Sequence, residues 1–155
     1  MDIKILLTAA IAGILFAGLS FGQEKKDGEA KKPDPAREER INKLVKELGD
    51  NAPEVRIGAL STLVELEAKE TIPEIKKLFK DANRDVRGWA VAALGALGTK
   101  DEIPDVKKLL KDKDAYVRGS VVKALVKLGA KEAIPDIRGM LKDVEAGARE
   151  CAVLA

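Results

Sequence analysis

From Ile41 onward, apolar residues recur three and four positions apart, and that helical pattern itself returns every 31 residues. Ile72, Ile75, Leu78 and Phe79 form one apolar face of a short first helix. Val86, Ala90, Ala93, Leu94 and Leu97 form the face of a longer second helix. The stretch beginning at Ile103 rewrites the one beginning at Ile72 with 16 of 31 positions identical, and Val117, Val121, Ala124, Leu125 and Leu128 repeat the second-helix face. Ile41–Thr71 is a more diverged copy, sharing nine of 31 positions with the Ile72 copy; Ile134–Ala155 is an incomplete one, sharing ten of 22 with the Ile103 copy. Neither helix is long enough to be stable alone, so each pair must bury its faces against its neighbours. The pattern predicts an all-α solenoid of three full helix pairs (41–71, 72–102, 103–133) plus a partial fourth (134–155).

Local signals agree with that division. Pro73, Pro104 and Pro135 sit in the first turn of each first helix, where a missing N–H is tolerated. Asn83 and Asp114 are expected N-caps of the second helices, and Thr99 with Glu102 fits a capping box. Gly98 and Gly129 are expected to close the second helices as left-handed caps.

The repeat pattern is D-x-x-x-x-V-R-x-x-A-x-x-A-L-x-x-L-G, seen from Asp81 to Gly98, followed by an Ile-Pro-x-Val-Lys start at Ile103. It resembles HEAT repeats, most closely the short HEAT-like class named after phycobilisome (bilin) lyases. The resemblance covers Ile41–Ala155 and implies a right-handed α-α superhelix. As to activity it is weak, because such repeats occur in adaptors, scaffolds and some enzymes.

Ahead of the repeats the patterning changes twice. Lys4 followed by the apolar run Ile5–Leu19, with small residues Ser20 and Gly22 before Gln23, reads as an export signal over 1–22. The alternatives are an uncleaved membrane anchor over residues 5–22 and a buried helix. On this reading the remainder of the chain lies outside the cytoplasm, periplasmic or secreted, with membrane contact only if the segment is retained. Residues 23–40 hold six basic and six acidic side chains, two prolines and no large apolar residue, and are expected to be a linker whose last few residues, from about Ala36, start the first helix.

Charge and composition narrow the function. The 28 basic and 26 acidic residues leave a net charge of +2, which gives no general attraction to nucleic acid or anionic membrane. The chain has no histidine and one cysteine, Cys151, so imidazole zinc sites, histidine-based triads and internal disulfides are excluded. No cofactor, metal or catalytic residue is expected. Cys151 permits an intermolecular disulfide or a reactive thiol.

Four features remain as candidates for chemistry. Arg56, Arg87, Arg118 and Arg149 form one column across the repeats, and Asp50, Asp81, Asp112 and Asp143 another. They read either as an anion-binding arginine ladder or as a structural ladder pairing each arginine with a turn aspartate; HEAT-like families imply the second. Lys76, Lys77, Lys80, Lys107, Lys108, Lys111, Arg138 and Lys142 would stack into a cationic stripe on the first helices, either solvated or a footprint for an anionic envelope polymer or lipid surface. Nucleic acid is a poor partner, because aromatics do not interleave with these lysines. The outer face of the second helices varies most between copies. Gly88, Ala92, Gly95 and Ala96 leave a bare patch beside Trp89, and Lys123 and Lys127 follow in the next copy. By analogy with HEAT proteins this is the concave surface, so Trp89, Gly88, Ala92, Ala96, Lys123 and Lys127 are candidate partner contacts, unless Trp89 only covers a seam between repeats. Finally, the chain stops at an apolar Val153-Leu154-Ala155, which implies a truncated array or an end that pairs with another surface, as in a homodimer through this end or Cys151. The function expected is non-catalytic protein–protein binding or scaffolding. The alternatives are a bilin lyase or lyase-like subunit, suggested by the resemblance, and polyanion binding through the first-helix lysines.

Overall fold

A computed structural model of the chain describes residues 34–155. The export or anchor segment read at 1–22, and the linker up to residue 33, lie outside the described residues. The described residues form eight α-helices in four pairs: α1 (Pro35–Glu47) and α2 (Pro53–Glu65), α3 (Ile72–Lys77) and α4 (Arg84–Leu97), α5 (Ile103–Lys108) and α6 (Ala115–Lys127), α7 (Ile134–Gly139) and α8 (Ala146–Val153). The fold is an all-α superhelix of HEAT-like pairs.

Helix α1 begins at Pro35, one residue ahead of the start expected near Ala36 and inside the stretch read as a linker to Arg40, because Asp34 accepts the Ala36 N–H as N-cap and Pro35 occupies the first turn. Arg37 then fastens α1 to the segment that follows α2, donating to Glu70 Oε1 at 2.7 Å and to the Leu66 carbonyl at 3.1 Å.

The other first helices are short. α3, α5 and α7 each have six residues, with proline in the first turn, and tighten into 3-10 turns at Leu78–Lys80, Leu109–Lys111 and Met140–Lys142. Aspartate then turns the chain into the second helix with extended ψ near 145°. The second helices α2, α4, α6 and α8 stack in order and carry the core. Every residue expected on the α4 and α6 core faces is buried, and so are Val91 and Val122, which lay outside those faces. A helix in the middle of a stack packs on its own partner and on both neighbours, so its apolar arc is wider than one stripe.

The second helices end in two ways. After α2 and α6 the chain closes with Glu67 (φ +50°) and Gly129 (φ +66°) in the left-handed region. The N–H groups of Ala68 and Ala130 reach back to the carbonyls of Leu63 and Leu125, and both alanines are buried. Gly98 departs from that expectation: its φ is −73° and its ψ 172°. Where the flanking copies bury an alanine, this one has exposed Thr99, whose hydroxyl accepts the Asp101 N–H and starts a 3-10 turn instead. The capping box expected from Thr99 and Glu102 is therefore not formed; Glu102 turns to Lys76.

Candidate functional site

Three surfaces compete for the role, and the geometry separates them. In the arginine and aspartate columns, each Asp side chain first closes its own turn. Asp50, Asp81, Asp112 and Asp143 accept the N–H two residues onward, at 2.8–2.9 Å. Arg56, Arg87 and Arg118 then reach in two directions, and Arg149 only into its own turn. Nη1 of Arg56, Arg87, Arg118 and Arg149 donates to the carbonyls of Asp50, Asp81, Asp112 and Asp143 in its own repeat, at 2.6–2.9 Å. In the first three the rest of the guanidinium crosses to the next repeat. Arg87 grips Asp112 with two bonds of 2.9 Å, Arg118 grips Asp143 at 2.7 and 2.6 Å, and Arg56 donates to Asp81 at 2.9 Å.

Arg87 and Arg118 are buried, and their donors are committed inside the protein. Burial alone would raise the Asp112 pKa, but the Arg87 guanidinium and the Asp114 N–H outweigh it and hold the carboxyl below its usual range. Asp143 is lowered by Arg118, against a smaller opposing effect of burial. At Arg56, Arg87 and Arg118 the column is a run of inter-repeat ion pairs. It also redirects Asp114. That residue stands at the N-cap of α6 but makes no capping bond, because Arg87 Nη2 takes its carboxylate at 2.6 Å. Asn83 does cap α4, accepting from the N–H groups of Asp85 and Val86.

The cationic stripe is half paired: among the described residues Lys80, Lys111, Arg138 and Lys142 make no ion pair, whereas Lys76, Lys77, Lys107 and Lys108 do. Lys76 sits between Glu102 at the end of its own repeat and Asp105 of the next, and Lys107 pairs with Asp136 one repeat further on. Lys77 and Lys108 bond Glu74 and Asp105 within their own helices. Hydrogen bonds from the two carboxylates, Asp105 first, raise the Lys76 pKa. The first helices thus carry inter-repeat pairs at Lys76 and Lys107 within the basic stripe.

The outer face of α4 and α6 is different. Trp89 and Tyr116 are 41% and 47% exposed, although both are large aromatics. With Ala92, Ser120, Lys123 and Lys127 they border an open depression of about 270 Å³. A second depression of about 370 Å³ adjoins it across Tyr116, Ser120 and Lys123, and extends to Glu145 and Cys151 on α8. Four of the six candidate contacts, Trp89, Ala92, Lys123 and Lys127, therefore border one hollow. Ala96 is exposed on α4 outside it, and Gly88 is not surface at all.

Gly88 lies buried beneath the Tyr116 ring, and Gly95, expected in the same bare patch, is buried against Ala124, whose Cα would stand 2.9 Å from an added Cβ. The patch reads as bare because glycine lacks a side chain, but two of its four positions are where neighbouring helices approach. Tyr116 and Ser120 were not singled out from the sequence. The signal for Tyr116 was its column, in which the other copies carry Glu54, Asp85 and Gly147, so an aromatic there is out of place on packing grounds. Cys151 is half-buried, with its Sγ 3.0 Å from where a Gly119 Cβ would lie. Among the described residues no cluster of three or more metal-ligating side chains occurs, and no helix is long and apolar enough to cross a membrane.

A solenoid whose stacked pairs are pinned by an Arg–Asp column and whose second helices present a continuous face is a repeat scaffold. The chain belongs to the HEAT-repeat family, whose model matches residues 41–114 and 83–155. HEAT repeats suggest a protein-interaction or scaffold role. Among solved structures, the chain is similar to an engineered protein determined by a structural genomics consortium, at 19% identity and a TM-score of 0.52, with 72% of this chain and 59% of that one covered. It is also similar to the complex of CpcE and CpcF of phycocyanin lyase from Nostoc sp., at 19% identity and a TM-score of 0.49, with 83% and 66% covered. At that identity the first likeness is one of fold alone. The chain spans less than two thirds of the length of either. No curated protein sequence matches it.

Proposed function

We propose that the chain is an exported, non-catalytic HEAT-repeat module that binds another protein through the α4–α6 face around Trp89. The observation that carries this reading is the pair of exposed aromatics, Trp89 and Tyr116, flanking one hollow. Large aromatics beside small residues are enriched where partners dock. Export rests on the apolar run Ile5–Leu19 and the small residues that follow it. The absence of histidine and the single cysteine support a non-catalytic role.

The test is proximity crosslinking in the native envelope with the wild type and with Trp89→Ala of matched helicity. A protein captured by the first and lost from the second supports the reading. Equal capture by both places the contact elsewhere, and bilin transfer to an acceptor protein on co-expression would replace the module with an enzyme.

A further inference from the structure

The same face carries a charge pattern that specifies its partner, on the footing that it is the contact surface. Lys123 and Lys127 are one turn apart on α6, both exposed, and both border the Trp89–Tyr116 hollow. Among the described residues neither lies within ion-pair distance of a carboxylate; on the first helices Lys76, Lys77, Lys107 and Lys108 are paired while Lys80, Lys111, Arg138 and Lys142 are not, but none of these lies beside an exposed aromatic of the hollow. Among the described residues no acidic side chain borders the hollow. Glu145 shares the adjoining depression with Lys123. The Ser120 hydroxyl is already turned inward, donating to the Tyr116 carbonyl at 3.0 Å. The small side chains of Ala92 and Ala124 form the floor between aromatics and lysines.

We infer that the face binds an acidic linear peptide segment, seating an apolar side chain between Trp89 and Tyr116 and its carboxylates on Lys123 and Lys127. The aromatic walls supply burial, and two unpaired ammonium groups beside them select the sign of charge. A bare polyanion would leave the aromatic half of the site unused, so it is the less favoured partner.

Trp89 is the chain's single tryptophan, so its emission reports on the site directly. The full chain is titrated with a capped heptapeptide of alternating Glu and Leu, with its Lys-for-Glu and Gly-for-Leu counterparts, and with heparin. The expected result is a shift in Trp89 emission with the Glu-Leu peptide only. Its Kd should rise at least tenfold in the Lys123→Glu/Lys127→Glu variant, at unchanged helicity, and the Lys-Leu peptide should now bind that variant. Equal affinity for the Glu-Gly peptide or heparin overturns the proposal in favour of a polyanion site. Tighter binding of the Lys-Leu peptide to the wild type overturns the charge assignment while leaving Trp89 as a contact. Silence toward every peptide, with Trp89-dependent crosslinking intact, rejects the acidic segment alone; silence with crosslinking unaffected by Trp89→Ala removes the binding face as well.

Discussion

The ring of Tyr116 lies on the backbone of Gly88, so that a Cβ at residue 88 would overlap Tyr116 Cε1 and stand 3.0 Å from Cδ1. Seven residues along the same helix, Gly95 meets a different surface, the Cα and Cβ of Ala124, each 2.9 Å from its would-be Cβ. Both glycines bring α4 and α6 together. The first does so under a half-exposed ring that can swing, the second against a helix backbone that cannot.

That contrast sets opposite outcomes for two identical substitutions. Alanine is better than glycine in a helix interior by about 1 kcal/mol. In Gly95→Ala this gain is opposed by overpacking, about 1–3 kcal/mol where a filled interface cannot yield, so a net loss of stability is expected. In Gly88→Ala the Tyr116 ring turns outward, stability stays within about 1 kcal/mol of wild type, and the hollow changes shape. Urea unfolding separates the stabilities. Trp89 emission, shifted in Gly88→Ala while the midpoint holds, reports the reshaped hollow.

How far the sequence carried this structure is visible in the same residues. The 31-residue period, the core faces and the pairing of Arg87 with a turn aspartate are periodic properties, and a one-dimensional pattern records them well. What a pattern does not record is which neighbour fills a gap. Gly88 and Gly95 look like open surface until α6 is laid on them, and Asp114 looks like a free N-cap until Arg87 arrives from the previous repeat. Trp89 and Lys123 were legible as surface candidates because their columns differ between copies. Tyr116 was hidden because its role depends on an inter-helix contact.

Two helix ends offer a cleaner test of backbone conformation. Glu67 and Gly129 stand at equivalent positions with φ of +50° and +66°. Only glycine adopts that region without steric cost, about 1 kcal/mol for other residues. Glu67→Gly is therefore expected to stabilise the fold slightly, despite the added entropy of the unfolded chain, and Gly129→Ala to destabilise it by about 1 kcal/mol. Gly98→Ala fails for another reason: its Cβ would sit 2.5 Å from the Leu94 carbonyl oxygen. Thermal melts of the three variants distinguish these cases.

The buried ladder makes stability depend on acid. The carboxyls of Asp112 and Asp143 titrate below their ordinary range in the folded chain. In the unfolded chain they return to about 3.9. Between those values the unfolded state binds more protons, so stability rises with pH across that window. The contribution is complete above the unfolded pKa and disappears as pH falls through the folded ones. Asp112→Asn leaves Asp114 as the one carboxylate partner of Arg87 and should cost about 2 kcal/mol at about pH 7. That deficit should shrink as pH falls below the unfolded value of about 3.9, where the wild type begins to lose the same interaction. Denaturant titrations across pH read both slopes; a deficit independent of pH would mean that Asp112 acts through its turn and not through its charge.

The outer pairs should behave differently because water reaches them. Lys76 is about a third exposed, at 32% of its side chain, and bridges Glu102 and Asp105 across the repeat boundary. Ion pairs so placed contribute about 0–1 kcal/mol each and weaken as salt shortens the screening length. Lys76→Met removes the pairing but keeps the stem over the seam, so little change is expected beyond about 0.5 kcal/mol. Lys76→Glu instead gathers three carboxylates at one boundary. Its loss should be larger at low ionic strength, on the order of 1 kcal/mol, and should recover by about half near 1 M salt. The Arg87–Asp112 pair, with side chains only 5% and 10% exposed, should show little such recovery in Asp112→Asn. Melting both variants over a salt series thus distinguishes the two sets of pairs: one excluded from solvent fixes the repeat geometry, and one in solvent neutralises part of a lysine row that would otherwise repel itself.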